Sequence, residues 1–197
     1  MDTDLSDADA SFIGEDSYDN SGYAVSGAGD VNGDGYDDFL IGAYRDDDGG
    51  DGAGQTYLIL GKASGWAMDT DLSDADASFR GEGADDYSGY AVSGAGDVNG
   101  DGYDDFIIGA YGNDDGGSQA GQTYLILGRY VITGNVYDVA ISEDGEYIVA
   151  GSYDKKIYLF GKDGSNPKWG YDMDYDSLGT LDISADGKYI VAGSYNW

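Results

Sequence analysis

Short apolar runs alternate along the chain with stretches rich in glycine and aspartate. In the first two thirds the runs include Tyr23–Ala28, Phe39–Tyr44 and Thr56–Leu60; later come Val136–Ile141, Tyr147–Ala150 and Ile157–Phe160. Val, Ile, Tyr and Phe dominate them, side chains that suit a pleated, half-buried strand. No stretch sustains a 3.6-residue apolar period between helix caps. The pattern predicts an all-β chain of antiparallel hairpins. The segment DLSDADASF, at Asp4–Phe12 and Asp71–Phe79, is read as strand around Ala10–Ile13 and Ala77–Gly81, with a short helical turn over Asp7–Ala10 as the alternative.

The runs recur in two kinds of repeat. Residues 68–128 repeat residues 1–61 at an offset of 67, with 10 of 61 positions different. A shorter unit, SEDGEYIVAGSY at Ser142–Tyr153, returns as SADGKYIVAGSY at Ser184–Tyr195, 42 residues on. Periods of this size mark stacked supersecondary units. The Asp144-Gly145 and Asp186-Gly187 pairs read as hairpin turns.

Charge divides the chain at the same place. Residues 1–128 hold 28 acidic and 3 basic side chains, and residues 129–197 hold 11 and 6. The domain reading is therefore 1–128 and 129–197. A net charge of −30 argues against nucleic acid and anionic membrane surfaces as partners. With no Cys and no His, disulfides, His-based zinc sites and Ser-His-Asp or Cys-His nucleophilic sites are excluded. Among 39 acidic residues nothing singles out a carboxylate pair for glycosidase chemistry, so the chain is read as non-enzymatic. No apolar run reaches the ~20 residues of a membrane span, and Met1 opens directly inside a repeat unit with no visible leader. Localisation stays unassigned.

The string DVNGDGYDD, at Asp30–Asp38 and Asp97–Asp105, carries the candidate chemistry. Alternate oxygen side chains followed by a glycine bend form a calcium-ligand pattern. The candidate ligands are Asp30, Asn32, Asp34 and Asp38, then Asp97, Asn99, Asp101 and Asp105. An EF-hand needs a bidentate acid at the twelfth loop position and flanking helices. Ile41 and Ile108 stand there instead, each inside a strand-like run. The acidic stretches Asp46–Asp48 with Asp51, and Asp114-Asp115, are read as solvated hairpin loops. The repeated tyrosines, Tyr23 with Tyr90 and Tyr57 with Tyr124, are read as strand packing. Trp66, Trp169 and Trp197 are read as covering blade edges or interfaces.

With GYAVSGAGDVNGDGYDDFLIGA at Gly22–Ala43 and its near copy at Gly89–Ala110, the 67-residue units resemble FG-GAP repeats, the blades of integrin-α-type β-propellers. The resemblance implies one Ca²⁺ per loop, two per chain, with the Tyr36 and Tyr103 carbonyls added to the side chains above. Ser21 and Ser88 stand where that family usually has Phe, and Tyr44 and Tyr111 replace its Gly-Ala-Pro proline. The shorter units, on VAISEDGEYIVAGSYDKKIYLF at Val139–Phe160, resemble WD40-like or PQQ-like propeller repeats, without the Gly-His dipeptide.

Together these imply an all-β propeller, or portion of one, supplying about three and a half to four antiparallel four-stranded blades. Residues 1–14 look like the outer strand of a blade whose other strands lie elsewhere, and the last unit stops two strands in. An unpaired edge is a liability that closure within one chain, or between two in a homodimer, would remove. The expected function is a calcium-stabilised, non-catalytic scaffold, an engineered chimera or excised fragment. The alternative is an extracellular adhesion or glycan- or protein-binding module.

Overall fold

A computed structural model describes residues 4–129, 136–152, 155–162, 167–173 and 178–194. The chain divides into two compact units, 1–129 and 130–197.

The first unit is built on two antiparallel blades. In the first, β2 (Ala24–Gly29), β3 (Asp38–Ala43), β4 (Gln55–Ile59) and β6 (Ala77–Arg80) pair in that order. The second has β7 (Ser88–Gly96), β8 (Asp105–Ala110) and β9 (Gln122–Ile126). Strand periodicity decides which side chains meet. Leu40 lies opposite Leu58 in the β3–β4 register, and both turn to one face. That face packs, with Ala28 and Val31, against Phe106 and Ile108 of the second blade. Phe79 meets Phe106 edge-on, with ring centroids 5.4 Å apart. The opposite face of the first blade buries Ile41, Tyr57 and Ile59 beneath Phe12, Trp66 and Leu72. Apolar burial of this kind contributes about 25 cal/mol per Å² and is the main attraction between blades.

The DLSDADASF segment carries a strand in both copies, while its helical turn ends at Asp7 instead of running over Asp7–Ala10, where Ala8 is already extended. Leu5–Asp7 and Leu72–Asp74 form single 3₁₀ turns, capped by Asp4 and Asp71, and strands follow. The strands differ between copies. β6 adds antiparallel to β4 as the fourth strand of a blade. Its counterpart β1 (Phe12–Ile13) pairs in parallel with β5 (Thr70–Asp71), which departs from the outer-strand expectation. The reason is local: Phe12 wedges edge-on against Phe39 and Trp66, and the Ser11 and Asp69 side chains bond each other across the pair. Trp66, read as covering a blade edge or interface, packs on a face of the first blade beside Phe12 and Phe39; Trp197 and the Trp169 side chain lie outside the described residues.

In the second unit β10 (Val136–Ile141), β11 (Tyr147–Ser152), β12 (Lys156–Gly161) and β13 (Pro167–Asp172) form a four-stranded antiparallel sheet. A hairpin of β14 (Leu178–Ile183) and β15 (Ile190–Ser194) packs on it through Val149, Ile157, Leu159, Leu181 and Ile183. The Asp-Gly turns fall where expected: Gly145 and Gly187 take left-handed φ of 70° and 69°, and Ser142 and Ser184 hydroxyls donate to Asp144 and Asp186. The fold is all-β, and apart from the two-residue parallel pair of β1 and β5 its described sheets are antiparallel, of the β-propeller blade type.

Candidate metal centre

Each DVNGDGYDD segment links the first two strands of a blade. β2 ends at Gly29 and β3 begins at Asp38; β7 ends at Gly96 and β8 begins at Asp105. The first aspartate organises the bend. Asp30 accepts the N–H groups of Gly33 (2.7 Å) and Asp34 (3.0 Å) on Oδ1 and that of Gly35 (2.9 Å) on Oδ2. Asn32 Oδ1 accepts from Asp34 N–H at 2.9 Å, its amide nitrogen donates to Asp34 Oδ2 at 3.0 Å, and Asp34 Oδ1 accepts from Tyr36 N–H at 2.9 Å. These are the side-chain-to-backbone turns that Asp and Asn favour. Gly35, at φ 90°, makes the bend that a side chain would strain.

The last aspartate ties the loop to the blade. Asp38 is 1% exposed; its Oδ2 accepts from Val31 N–H at 2.9 Å and its Oδ1 from Gly61 N–H at 2.7 Å. One carboxylate thus joins the loop, the start of β3 and the exit of β4. Burial pushes Asp38 up to about 6, against those two hydrogen bonds and helped by the charges of Asp34 and Asp30.

The second loop repeats this bond for bond. Asp97 accepts from Gly100, Asp101 and Gly102, the Gly102 bond foremost in holding its carboxyl below the ordinary range. Asn99 and Asp101 bond each other, Asp101 accepts from Tyr103, and Asp105, wholly buried, accepts from Val98 and Gly128. The surroundings differ. Val31 and Asn32 are buried, whereas the stretch Asp97–Asp101 is exposed.

The donor chemistry suits a hard divalent cation: three carboxylates and an amide oxygen in each loop, with Tyr36 and Tyr103 following the glycine bend. Asp30 Oδ1 and Asp97 Oδ1 each accept two N–H groups, whereas the oxygens that accept a single bond, those of Asp38 and Asp105 among them, keep a second lone pair. In this conformation the carboxylates turn onto backbone N–H groups, and among the described residues no three acidic side chains gather closely enough to hold an ion.

Two features escaped the reading of the sequence. Asp104 of the second loop accepts the N–H of Asp30 in the first, and Asp104 N–H donates to Asp30 carbonyl oxygen. The acidic β3–β4 loop is also not wholly solvated. Asp46 is 3% exposed, accepting from Asp48 N–H and from the Tyr57 hydroxyl. An aspartate placed for hydrogen bonding beneath a buried tyrosine looks in sequence like any other in an acidic run. The tyrosine reading also divides. Tyr57 is buried and Tyr124 packs against the core, but Tyr23 and Tyr90 are 54% and 38% exposed and touch each other.

Comparison with known proteins agrees with this architecture. The FG-GAP repeat model matches residues 21–59 and 88–126, and the model for the WD domain, G-beta repeat, matches residues 128–160. Over 122 residues, 61% of the chain, the sequence is 32% identical to integrin alpha pat-2 of Caenorhabditis briggsae. Over 94 residues, 47% of the chain, it is 37% identical to integrin alpha-PS2 of Drosophila melanogaster. These matches take in 9% and 7% of the relatives, so the chain spans less than a tenth of their length. The chain therefore carries two FG-GAP repeats of the integrin-alpha kind, followed by a WD repeat.

Proposed function

We propose that the chain is a calcium-stabilised, non-catalytic propeller scaffold, a designed or excised hybrid of two repeat lineages with no native activity of its own. The observation that supports this best is the matched pair of loops. In both blades a buried aspartate, Asp38 or Asp105, anchors an oxygen-rich bend to two strands of the sheet. Asp30, Asn32, Asp34 and Asp38, with the Tyr36 carbonyl, would hold one ion; Asp97, Asn99, Asp101 and Asp105, with the Tyr103 carbonyl, would hold the other. A bound cation would offset the mutual repulsion of these carboxylates. At free calcium 100-fold above the dissociation constant, each site would add about 2.7 kcal/mol. The near-identity of the two long repeats supports a structural role over a single asymmetric catalytic site.

Melting with EDTA, Ca²⁺ or Mg²⁺, alongside native mass measurement, tests the proposal. The midpoint should fall in EDTA and recover with Ca²⁺ more than with Mg²⁺, with two ions per chain. An unchanged midpoint on chelation would overturn it. The same mass measurement reads self-association. A homodimer is supported by apolar side chains left exposed on the sheets, among them Leu125, Val139, Ile141 and Val191.

A second reading, a module for adhesion or for binding glycans or proteins, is supported by a cluster of exposed tyrosines on the first unit. Screening glycans and matrix proteins with and without calcium tests it, and uniform lack of binding removes it.

A further inference from the structure

The tyrosine cluster sits at the blade ends opposite the DVNGDGYDD loops. Tyr23 precedes β2 and Tyr44 follows β3, while those loops join the far ends of the same strands; in the second blade Tyr90 lies in the first residues of β7 and Tyr111 follows β8. The rings form a continuous chain of contacts. Tyr23 lies 4.6 Å from Tyr44 and 5.0 Å from Tyr90, centroid to centroid; Tyr90 lies 4.6 Å from Tyr111, and Tyr111 stacks on Tyr87 at 5.1 Å and 12°. The Tyr23 hydroxyl donates to the Tyr90 hydroxyl at 3.0 Å. At the other end of the chain of rings, the Tyr87 hydroxyl donates to Asp85 Oδ1 at 2.9 Å.

We propose that Tyr23 and Tyr90 are an oxidative modification site, which a one-electron oxidant converts into a dityrosine cross-link between the two FG-GAP blades. Each phenol gives one electron to the oxidant and one proton to water or a carboxylate, leaving a phenoxyl radical. The two radicals join through a carbon–carbon bond between ring positions ortho to the oxygens. Each ring then regains aromaticity as its ortho hydrogen moves to oxygen as a proton. Two electrons and two protons leave in total. A haem peroxidase supplies the oxidising power by reducing hydrogen peroxide to water.

Three observations carry the site. The partners are already in contact, with phenol oxygens at hydrogen-bond distance, so coupling needs no diffusion. Both rings are exposed enough for an outside oxidant to reach. Tyr87 has a carboxylate in place to take its proton, and the contacts through Tyr111 let an electron vacancy formed there pass to Tyr90. The chain also has no cysteine to intercept the radicals. The cross-link closes a loop of known length between two repeats, which restricts the unfolded chain.

The test treats the full chain, dilute, with a haem peroxidase and hydrogen peroxide. The expected product is monomeric on a denaturing gel, lighter by two hydrogens, and fluorescent as a biphenol. Digestion should give a peptide pair joined through residues 23 and 90, and the product should melt at a higher temperature. Tyr23→Phe and Tyr90→Phe should each reduce the intramolecular product at least tenfold. Tyr18→Phe, which removes a tyrosine 88% exposed, should leave it unchanged. Melting of each unoxidised variant establishes that it folds. Mainly intermolecular product, a link between other tyrosines, or undiminished yield in Tyr23→Phe would overturn the proposal.

Discussion

The Asp104 carboxylate accepts the backbone N–H of Asp30 at 3.0 Å, so a residue of the second loop closes the first. Asp104 N–H returns a bond to Asp30 carbonyl oxygen at 3.1 Å. The repeat counterpart of Asp104 is Asp37, the same residue type, which is exposed. Position within the array, and not residue identity, makes the difference. Asp104→Ala should destabilise the chain by about 1.5–3 kcal/mol, the range for a hydrogen bond to a charged group. Asp37→Ala should fall within about 0.5 kcal/mol of the parent, as surface changes usually do. Equilibrium denaturation of both variants checks this, and equal losses would show that the two aspartates are equivalent after all.

Gly29 and Gly96 extend the comparison. Both adopt left-handed φ, 76° and 68°, at the strand-to-loop junction. A side chain there costs roughly 1–2 kcal/mol in either copy. A Cβ on Gly29 would also collide with the Asp104 carboxylate, whereas one on Gly96 meets open space. Gly29→Ala should therefore lower the melting midpoint more than Gly96→Ala. In an Asp104→Ala background the gap should shrink, a coupling that a double-mutant cycle reads directly.

The same asymmetry bears on calcium. The first loop is packed between the blades, with Val31 and Asn32 buried and Val31 carbonyl oxygen accepting from Arg129 N–H. The second is exposed from Asp97 to Asp101. Asp34→Ala and Asp101→Ala should each remove one ion from the chain's stoichiometry. The midpoint gained on adding Ca²⁺ should fall further with Asp34→Ala, because order at the first loop is shared with the interface it lines. Calorimetric titration of the two variants with Ca²⁺ alone, followed by melting, separates the counts from the stabilities.

The strands were legible because the Val, Ile, Tyr and Phe runs are short and bounded by Gly and Asp; β2, β3 and β4 fall within a residue of Tyr23–Ala28, Phe39–Tyr44 and Thr56–Leu60. The loop residues were legible as a motif, since Asp30 and Asp97 shape their bends through bonds only five residues long or shorter. What the sequence concealed depends on neighbours distant along the chain. Phe12 and Phe79 are the same letter in the same string, yet Phe79 joins β4 in a blade and Phe12 packs on Phe39 and Trp66. Tyr23 and Tyr57 are both strand-associated tyrosines. Only the packing of the blades shows that one is core and the other meets Tyr90 at the surface.

Asp46 offers a test in which the protein supplies its own control. Burial raises the Asp46 carboxyl above its ordinary value, outweighing the hydrogen bonds from Asp48 and Tyr57, with the charges of Asp19 and Asp48 acting in the same direction. Burial likewise raises Asp19. A raised folded value means that the folded state keeps protons which the unfolded state releases. The associated stability is fully present below the ordinary carboxylate value of about 4 and is lost as pH rises through the folded value. In EDTA the chain should therefore melt at a higher temperature near pH 5 than near pH 7. Residue 113, the repeat counterpart of Asp46, is asparagine and is equally buried; its Oδ1 accepts from Asp115 N–H and its amide nitrogen donates to Tyr124 hydroxyl oxygen. An amide at position 46 can repeat both contacts with Asp48 and Tyr57, while the Tyr57 hydroxyl turns its proton to Glu15, a partner already beside it. Asp46→Asn should raise the midpoint at pH 7 and flatten part of the slope between about pH 4 and 7. Melts across that range in EDTA decide the matter: a variant less stable at pH 7 with the parent's slope would show that the Asp46 charge is not the cause.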